Sequence, residues 1–230
     1  MIERKSCLIV IPAYNASLTL GKLLEELINT EEKERILVVD DGSTDRTQEV
    51  AKEFKVLYLG LKSNQGKGAA LFRGIQEASQ RGFAWVITMD ADGQHSPRDL
   101  SHFYRAKVLP KTGVIVGTRR IKGTRMPIHR RFSNWSTSQA ISFLARQKVG
   151  DCQSGYRMYL VRAMLHSKIP KQGRFEWEAR VLVLLSRLSW RIERVDIETL
   201  YGDFSSHMRI IKDTLRFIRM YCKLFLELKK

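Results

Sequence analysis

Asp90 and Asp92 stand two residues apart where an apolar run, Ala84 to Met89, gives way to Asp-Ala-Asp-Gly-Gln-His. Side chains at i and i+2 of an extended backbone point to one side, so both carboxylates face the same way, with the Gln94 amide just behind them. Hard divalent cations take oxygen ligands, and Mg²⁺ or Mn²⁺ commonly joins one or two protein carboxylates to the phosphates of a substrate. The chemistry offered by this spacing is a metal-held diphosphate. A strand end followed by an Asp-Gly turn would use the same residues with no ligand at all, so the surrounding sequence has to decide.

The elements that would position these carboxylates alternate. Cys7 to Ile11 and Ile36 to Val39 read as short buried strands, followed by Pro12-Ala13-Tyr14-Asn15 and by Asp40-Asp41-Gly42-Ser43-Thr44-Asp45. Helical patterns come next, over Leu18 to Ile28 and Thr47 to Phe54, the second with Ser43, Thr44 or Asp45 available as N-cap. Strand, loop and helix in rotation predict a mostly parallel sheet with helices on both faces, and ligands of such sheets bind beyond the carboxyl ends of the strands. All three polar clusters lie at those ends. Asp40 and Asp41, acceptors only at neutral pH, suit the N–H of a nucleobase or the hydroxyls of a ribose, or simply a capped turn. Asn64-Gln65-Gly66-Lys67-Gly68 precedes an amphipathic helix over Ala69 to Ala78. Glycines admit a phosphate to the backbone, a helix N-terminus favours an anion and Lys67 adds a charge; a solvated turn has the same composition.

Taken in order, these four motifs resemble the family-2 glycosyltransferases of GT-A fold. Within that family the chain looks most like the dolichyl- and polyprenyl-phosphate sugar transferases, the dolichol-phosphate mannose synthase group, from about Cys7 to at least Phe217. The resemblance implies an α/β, GT-A nucleotide-diphospho-sugar transferase fold with a mostly parallel central sheet, helices on both faces and a C-terminal amphipathic helix. It implies inverting, metal-dependent transfer of a sugar from a nucleotide-diphosphate sugar to a polyprenyl phosphate. Pro12, Ala13 and Tyr14 would line the nucleoside pocket beside Asp40 and Asp41. Lys67, Asp90 and Ser154 would face the donor, and Asp92 and Gln94 the Mg²⁺ or Mn²⁺. Many relatives carry Glu after the Asn of the first motif; Ala16 stands here, so one contact to the nucleoside is missing.

The resemblance extends to the acceptor side. Arg119, Arg131 and Ser133 match positions that hold an acceptor phosphate, and Arg suits phosphate because its planar fork donates two hydrogen bonds. In Asp151-Cys-Gln-Ser-Gly-Tyr-Arg157, Ser154 and Gly155 would shape the sugar pocket while Arg157 reaches a phosphate or braces Asp151. Glu176 falls near the acceptor and joins Asp90 and Asp92 as a catalytic candidate, whereas Glu178 reads as a first-turn helix residue favoured by the dipole. Ser206 and His207 would approach the diphosphate, and His95 is either a ligand or a turn histidine bonded to backbone. A lipid phosphate, with a second pKa of about 6, is largely ionised near neutral pH and needs no general base. A hydroxyl acceptor would need one, Glu176 or Asp151.

Charge is the second informative property. Lys and Arg number 40 against 24 Asp and Glu, a formal charge of +16, which predicts a polyanionic partner: nucleic acid or an anionic membrane surface. Arg119, Arg120, Lys122, Arg125, His129, Arg130 and Arg131 crowd one stretch. Arg209, Lys212, Arg216, Arg219 and Lys223 make one helical stripe opposite Ile211, Leu215, Ile218, Tyr221, Phe225 and Leu228. Such a helix reads as lying in a membrane interface, or as packed on the domain with a solvated basic side. Phe132, Trp135, Ile141, Phe143 and Leu144 form an apolar face that fits either an interface or a core. No nucleic-acid reading motif accompanies the charge, so no nucleic acid is expected. A non-catalytic membrane-recruited protein and a nucleic-acid binder are the competing classes.

At 230 residues and 43% hydrophobic, the chain can bury one substantial core. The expected division is a catalytic domain over 1–206 and a basic amphipathic helix over 207–230 that meets a membrane or a partner. Cys7, Cys152 and Cys222 are too scattered for a disulfide framework or a zinc site, which points to a reducing cytoplasm. No run of about 18 apolar residues and no signal-like N-terminus is present. The expectation is a cytoplasmic protein attached peripherally to the membrane, with room for an integral membrane partner.

Overall fold

In the computed structural model, residues 2–119, 128–166, 168–198 and 210–228 are described. Their strands are β1 (Cys7–Ala13), β2 (Ile36–Asp40), β3 (Leu57–Gly60), β4 (Trp85–Thr88), β5 (Thr112–Arg119), β6 (Arg157–Leu160) and β7 (Arg191–Ile197). They form one sheet in the order β3-β2-β1-β4-β6-β5-β7. All pairs are parallel except those of β6, which runs antiparallel to both β4 and β5. The α/β fold with a mostly parallel sheet, expected from the sequence, is the fold observed.

The central strands are buried on both faces, which is why Cys7 to Ile11 and Ile36 to Val39 are unbroken apolar runs rather than alternating ones. Pro12 and Ala13 prolong β1 beyond its apolar run by pairing with Val39 and Asp40. At the far edge β7 mixes buried and exposed residues, with Ile192 and Ile197 inward and Arg191, Arg194 and Asp196 outward.

The helices are α1 (Ser17–Ile28), α2 (Thr47–Glu53), α3 (Lys67–Gln80), α4 (Leu100–Tyr104), α5 (Ile128–Ala145), α6 (Val161–Met164), α7 (Glu176–Arg187) and α8 (Ile210–Glu227). α1 buries Leu20, Leu23, Leu24 and Leu27, spaced i, i+3, i+4 and i+7, each worth about 2 kcal/mol of transfer free energy. α3 lies across β1 and β2, α7 packs on α5, and α8 packs on α7 and α5.

Two expected apolar faces divide. On α5, Ile141 and Leu144 enter the core, while Phe132 (67% exposed), Trp135 (57%) and Phe143 (68%) face outward. On α8, Met220 and Leu224 are buried and Phe217, Tyr221, Phe225 and Leu228 are partly covered. Leu215, Ile218 and Leu226 point away from the domain. The sequence grouped Leu215 and Ile218 with Tyr221 and Phe225; packing separates them, because α8 carries apolar residues on two faces and only one can meet α7.

Candidate active site

β1 lies between β2 and β4 and runs parallel to both, so the polar loops after all three strands sit at one end of the sheet, where sheets of this kind take ligands in a crevice. The loops after β1 and β2 are stitched together. Asn15 N donates to Ser43 Oγ (2.9 Å), Thr44 N to Asn15 Oδ1 (2.9 Å) and Ala16 N to Thr47 Oγ1 (2.9 Å). The N-cap position of α2 is Arg46 rather than Ser43, Thr44 or Asp45, but Asp45 accepts from Ser17 N and from Thr47 N, both at 3.0 Å, and so satisfies the first N–H of α1 and of α2 at once. Its slight burial works against ionisation, but these bonds pull its carboxyl down to about 2. Gly42 turns the chain here at φ 74, where a Cβ would meet Ser63 backbone at 2.7 Å.

Asp40 and Asp41, expected at a nucleoside, already accept from the protein. Asp40 takes bonds from Tyr58 Oη (2.9 Å) and Ser43 N (2.8 Å); Asp41 takes Gln65 N and Gly66 N, each at 2.7 Å. Burial raises the Asp41 carboxyl in spite of these two donors. A carboxylate has about four lone-pair sites, so each retains capacity for a ligand. Pro12 and Ala13 lie beside them at the end of β1, with Tyr14 39% exposed at the mouth.

The loop after β4 carries the central charges. Lys67 Nζ is 2.7 Å from Asp90 Oδ1 and 2.8 Å from Glu178 Oε2. Burial alone would depress the ammonium, but Asp90 and then Glu178 hold it above its ordinary range. Burial likewise opposes ionisation of Asp90, and Lys67 overcomes it, keeping that carboxyl low. Gly155 backs this cluster: a Cβ there would sit 2.6 Å from Asp90 Oδ2 and 2.7 Å from Lys67 Nζ, so no other residue fits unshifted. Thr88 Oγ1 anchors the same segment through Gly155 O at 2.7 Å.

The glycines flanking Lys67 do not form an open anion cradle. Gly68 N donates to Gly173 O (2.9 Å), and a Cβ on Gly68 would fall 2.5 Å from Trp177 Cγ. They let α3 pack tightly against the start of α7 and turn Lys67 inward. Glu178, read from sequence as an ordinary first-turn residue, is the third member of the cluster. Its signal was its spacing: with Leu182 and Leu185 it makes an i, i+4, i+7 stripe that is buried throughout.

Asp92 Oδ1 accepts Gln94 N at 3.0 Å. Burial and the adjacent Asp90 charge raise the Asp92 carboxyl, a like-charge pressure that a bound cation would relieve. Among the described residues no group of three His, Cys, Asp or Glu side chains makes a self-sufficient cage. Asp90, Asp92 and the Gln94 amide instead fit a hard cation that completes its shell with substrate phosphates. His95 is the turn histidine: its Nδ1 accepts Asp90 N at 3.1 Å and its ring lies 4.9 Å from that of Tyr156. Burial pushes its pKa down despite both aspartates, which keeps Nδ1 free to accept.

Arg119, expected to meet the acceptor, is held by Asp151, with Nε and Nη2 donating to its two oxygens at 2.5 and 3.0 Å. Arg157 does neither of the things expected of it. It is fully buried and donates to the carbonyls of Ser154 (2.8 Å), Cys152 (2.8 Å) and Glu178 (2.6 Å) and to Tyr159 Oη (3.1 Å). It braces the 152–154 loop against α7, so Arg119 and not Arg157 pairs with Asp151. Ser154, the last residue of that loop, is itself buried. Arg131 and Ser133 are exposed near the start of α5. Glu176 Oε1 accepts Arg174 N at 3.2 Å, while its Oε2 is buried with no hydrogen-bond partner among the described residues. Ser206 and His207, like Arg120, Lys122 and Arg125, lie outside the described residues.

Residues 8–166 match the family described as Glycosyl transferase family 2. A UDP-N-acetylglucosamine–dolichyl-phosphate N-acetylglucosaminyltransferase of Methanococcus voltae is 28% identical over 219 residues, 86% of this chain and 86% of that one. An undecaprenyl-phosphate mannosyltransferase of Micrococcus luteus is 29% identical over 205 residues, 83% of this chain and 82% of that one. Among solved structures, glucosyl-3-phosphoglycerate synthase from Mycobacterium tuberculosis, in complex with Mn²⁺, UDP and phosphoglyceric acid, superimposes with a TM-score of 0.68 at 17% identity. The match covers 96% of this chain and 77% of that one, and at such identity it speaks for the fold.

Proposed function

The chain belongs to glycosyl transferase family 2, and from that premise we propose that it moves a sugar, with inversion, from a nucleotide-diphosphate sugar to a polyprenyl phosphate at the cytoplasmic face of a membrane. The observation that carries this is the placement of Asp90 and Asp92 at the carboxyl end of β4, beside the nucleoside-side pair Asp40 and Asp41 and braced by Lys67. The names of the relatives, which specify dolichyl and undecaprenyl phosphates, support the acceptor class.

Asp92 and Gln94, with Asp90 behind them, would hold Mg²⁺ or Mn²⁺, which supplies neutralising charge to the leaving nucleoside diphosphate. Asp40 and Asp41 accept from the nucleoside, with Pro12, Ala13 and Tyr14 along the same wall. Lys67 keeps Asp90 ionised and fixes its rotamer, and Glu178 keeps Lys67 from swinging out. Gly155, with no side chain, lets Asp90 and Lys67 pack against the 154–155 backbone, and Ser154 is buried behind them, so both shape the sugar pocket from below. Arg119, oriented by Asp151, joins Arg131 and Ser133 in holding the acceptor phosphate opposite the leaving group, where its charge already suffices for attack on the anomeric carbon.

The membrane part of the proposal is supported by the outward Phe132, Trp135 and Phe143 of α5 and Leu215, Ile218 and Leu226 of α8, accompanied by exposed Arg131, Arg219 and Lys223. Aromatic and basic side chains on amphipathic helices are what an interface takes up. In this reading α8 (Ile210–Glu227), from the 207–230 segment, acts as an interfacial helix on a catalytic domain over 1–206. Among the described residues no helix is long and apolar enough to cross a membrane.

One observation favours a second reading. The unpartnered Glu176 Oε2 could take a proton, which a hydroxyl acceptor would require and a phosphate would not.

The test is transfer from a panel of labelled nucleotide sugars to polyprenyl phosphate in detergent with Mg²⁺ or Mn²⁺, with Asp92→Asn as control. Label in an acid-labile lipid is the expected product. Metal-dependent donor hydrolysis without a lipid product would move the acceptor to a hydroxyl, and no turnover of any donor would overturn the proposal.

A further inference from the structure

A cavity of about 510 Å³ opens between the 172–174 loop, the first turns of α7 and the outer part of α8. Its lining includes Arg174, Arg180, Arg219 and Lys223 against a single carboxylate, Glu176, with Trp177 beneath. Two lining atoms, Arg180 Nε and Glu176 Oε2, are buried with no hydrogen-bond partner among the described residues. The other cations are only lightly engaged. Lys223 has Glu227 at 3.9 Å, and Arg174 acts on Asp41 through its field rather than through a bond. Like charges brought together around a void, with a buried guanidinium N–H left over, make a site lacking its counter-ion.

We propose that this cavity, which borders the donor side through Gln65, binds a phosphate-bearing anion of its own, in addition to the donor diphosphate and apart from the Arg119–Arg131 acceptor region. Guanidinium forks from α7, α8 and the intervening loop suit tetrahedral oxyanions. Arg180 Nε supplies a donor that nothing among the described residues uses. Glu176 Oε2 can accept from a protonated phosphate oxygen or a neighbouring hydroxyl, which would favour a phosphomonoester or a polyol phosphate over sulfate. Because Arg219 and Lys223 come from α8, occupancy would tie α8 to α7. The same chemistry could reach the cavity as a soluble phosphate or as a lipid headgroup.

The test uses the full chain in the Asp92→Asn background with EDTA, which removes metal-assisted binding at the donor site, and with saturating nucleoside monophosphate, which occupies what remains of it. Binding of inorganic pyrophosphate at constant ionic strength is followed by calorimetry, and flotation on phosphatidylcholine vesicles is compared with and without phosphatidate. Arg180→Gln removes the buried donor; Arg219→Gln, at an exposed position, spares folding. Saturable pyrophosphate binding that each substitution weakens about tenfold, equivalent to about 1.4 kcal/mol, supports the site and a soluble occupant. Weak pyrophosphate binding with phosphatidate-dependent flotation that both substitutions reduce supports it with a lipid occupant. If both variants match their parent in both assays, the site does not exist.

Discussion

In the crevice beyond β1, β2 and β4 the charges are answered from within: Asp40 by Tyr58 and Ser43, Asp41 by Gln65 and Gly66, Asp90 by Lys67, and Lys67 in turn by Glu178. On the α5–α8 flank the side chains that stand out are answered only loosely, Lys223 by Glu227 at 3.9 Å and Phe132 by the Trp135 ring at 6.0 Å. Phe132, Trp135, Phe143, Leu215, Ile218 and Leu226 face away from the core, with Arg131, Arg219 and Lys223 among them. The crevice is organised in advance for a ligand small enough to be surrounded, and preorganised groups cost nothing further when it binds. The flank is arranged for something too large to enclose, whose own surface completes the burial. A transferase that joins a soluble donor to a membrane lipid needs one region of each kind.

The contrast between crevice and flank is broken most directly at Asp92. Asp92→Asn should lower transfer on the order of a thousandfold, the several kcal/mol that a metal-neutralised leaving group provides, with metal-free nucleotide affinity unchanged in calorimetry. A transfer rate near that of the parent would remove Asp92 from the chemistry. Next in size is Lys67→Met, which strands two carboxylates that are at most 25% exposed and should cost about 3 kcal/mol in urea unfolding. Combining it with Glu178→Gln should cost less than the sum of the two changes, since the second removes a charge the first left unpaired. Strict additivity would mean that the three groups do not act as a unit.

The flank should respond in the opposite way. Phe132→Ser with Trp135→Ser should weaken partition onto anionic vesicles by about thirtyfold or more, from lost apolar burial, while changing unfolding free energy by less than about 0.5 kcal/mol. A large loss of stability would show these rings to be part of the core. Arg131→Ala should raise the apparent KM for polyprenyl phosphate about tenfold, the worth of one charged hydrogen bond, and leave KM for the nucleotide sugar nearly unchanged. An unaltered lipid dependence would take Arg131 out of the acceptor site.

The two regions also differ in how far they could be read before the structure. Asp90 and Asp92 were legible because their relation is local, i to i+2 at a strand end, and the parallel sheet was legible in the rotation of strand, loop and helix through β1, α1, β2 and α2. What required the structure is contact between distant segments. Arg157 follows a loop that suggests a phosphate ligand, yet β6 is buried on both faces and its guanidinium satisfies three carbonyls and a phenol. Gly66 and Gly68 looked like an anion loop because nothing local announces Trp177, which lies over a hundred residues on and fills the space that a side chain on Gly68 would take. On α8, periodicity displays two apolar faces, and only the position of α7 decides which one is covered.

The smallest expected effect tests the stitching that makes the crevice rigid. Asp45 joins the N-termini of α1 and α2 by accepting from Ser17 and Thr47, and its carboxyl is held at about 2 against an ordinary 3.8. Because the folded value is depressed, the ionised form favours the folded state. That contribution is fully present above the unfolded value and disappears as pH falls through about 2. The group is partly solvated, so screening holds its worth to about 1 kcal/mol, in the range of a single helix cap. Asp45→Asn should therefore be less stable than the parent by that amount at pH 7, with the gap narrowing below about pH 4 and closing near pH 2 in parallel urea titrations. Since the substituted amide keeps one acceptor oxygen, the nucleotide KM should rise only about twofold to fivefold. A stability gap independent of pH would mean that shape, not charge, joins the two loops.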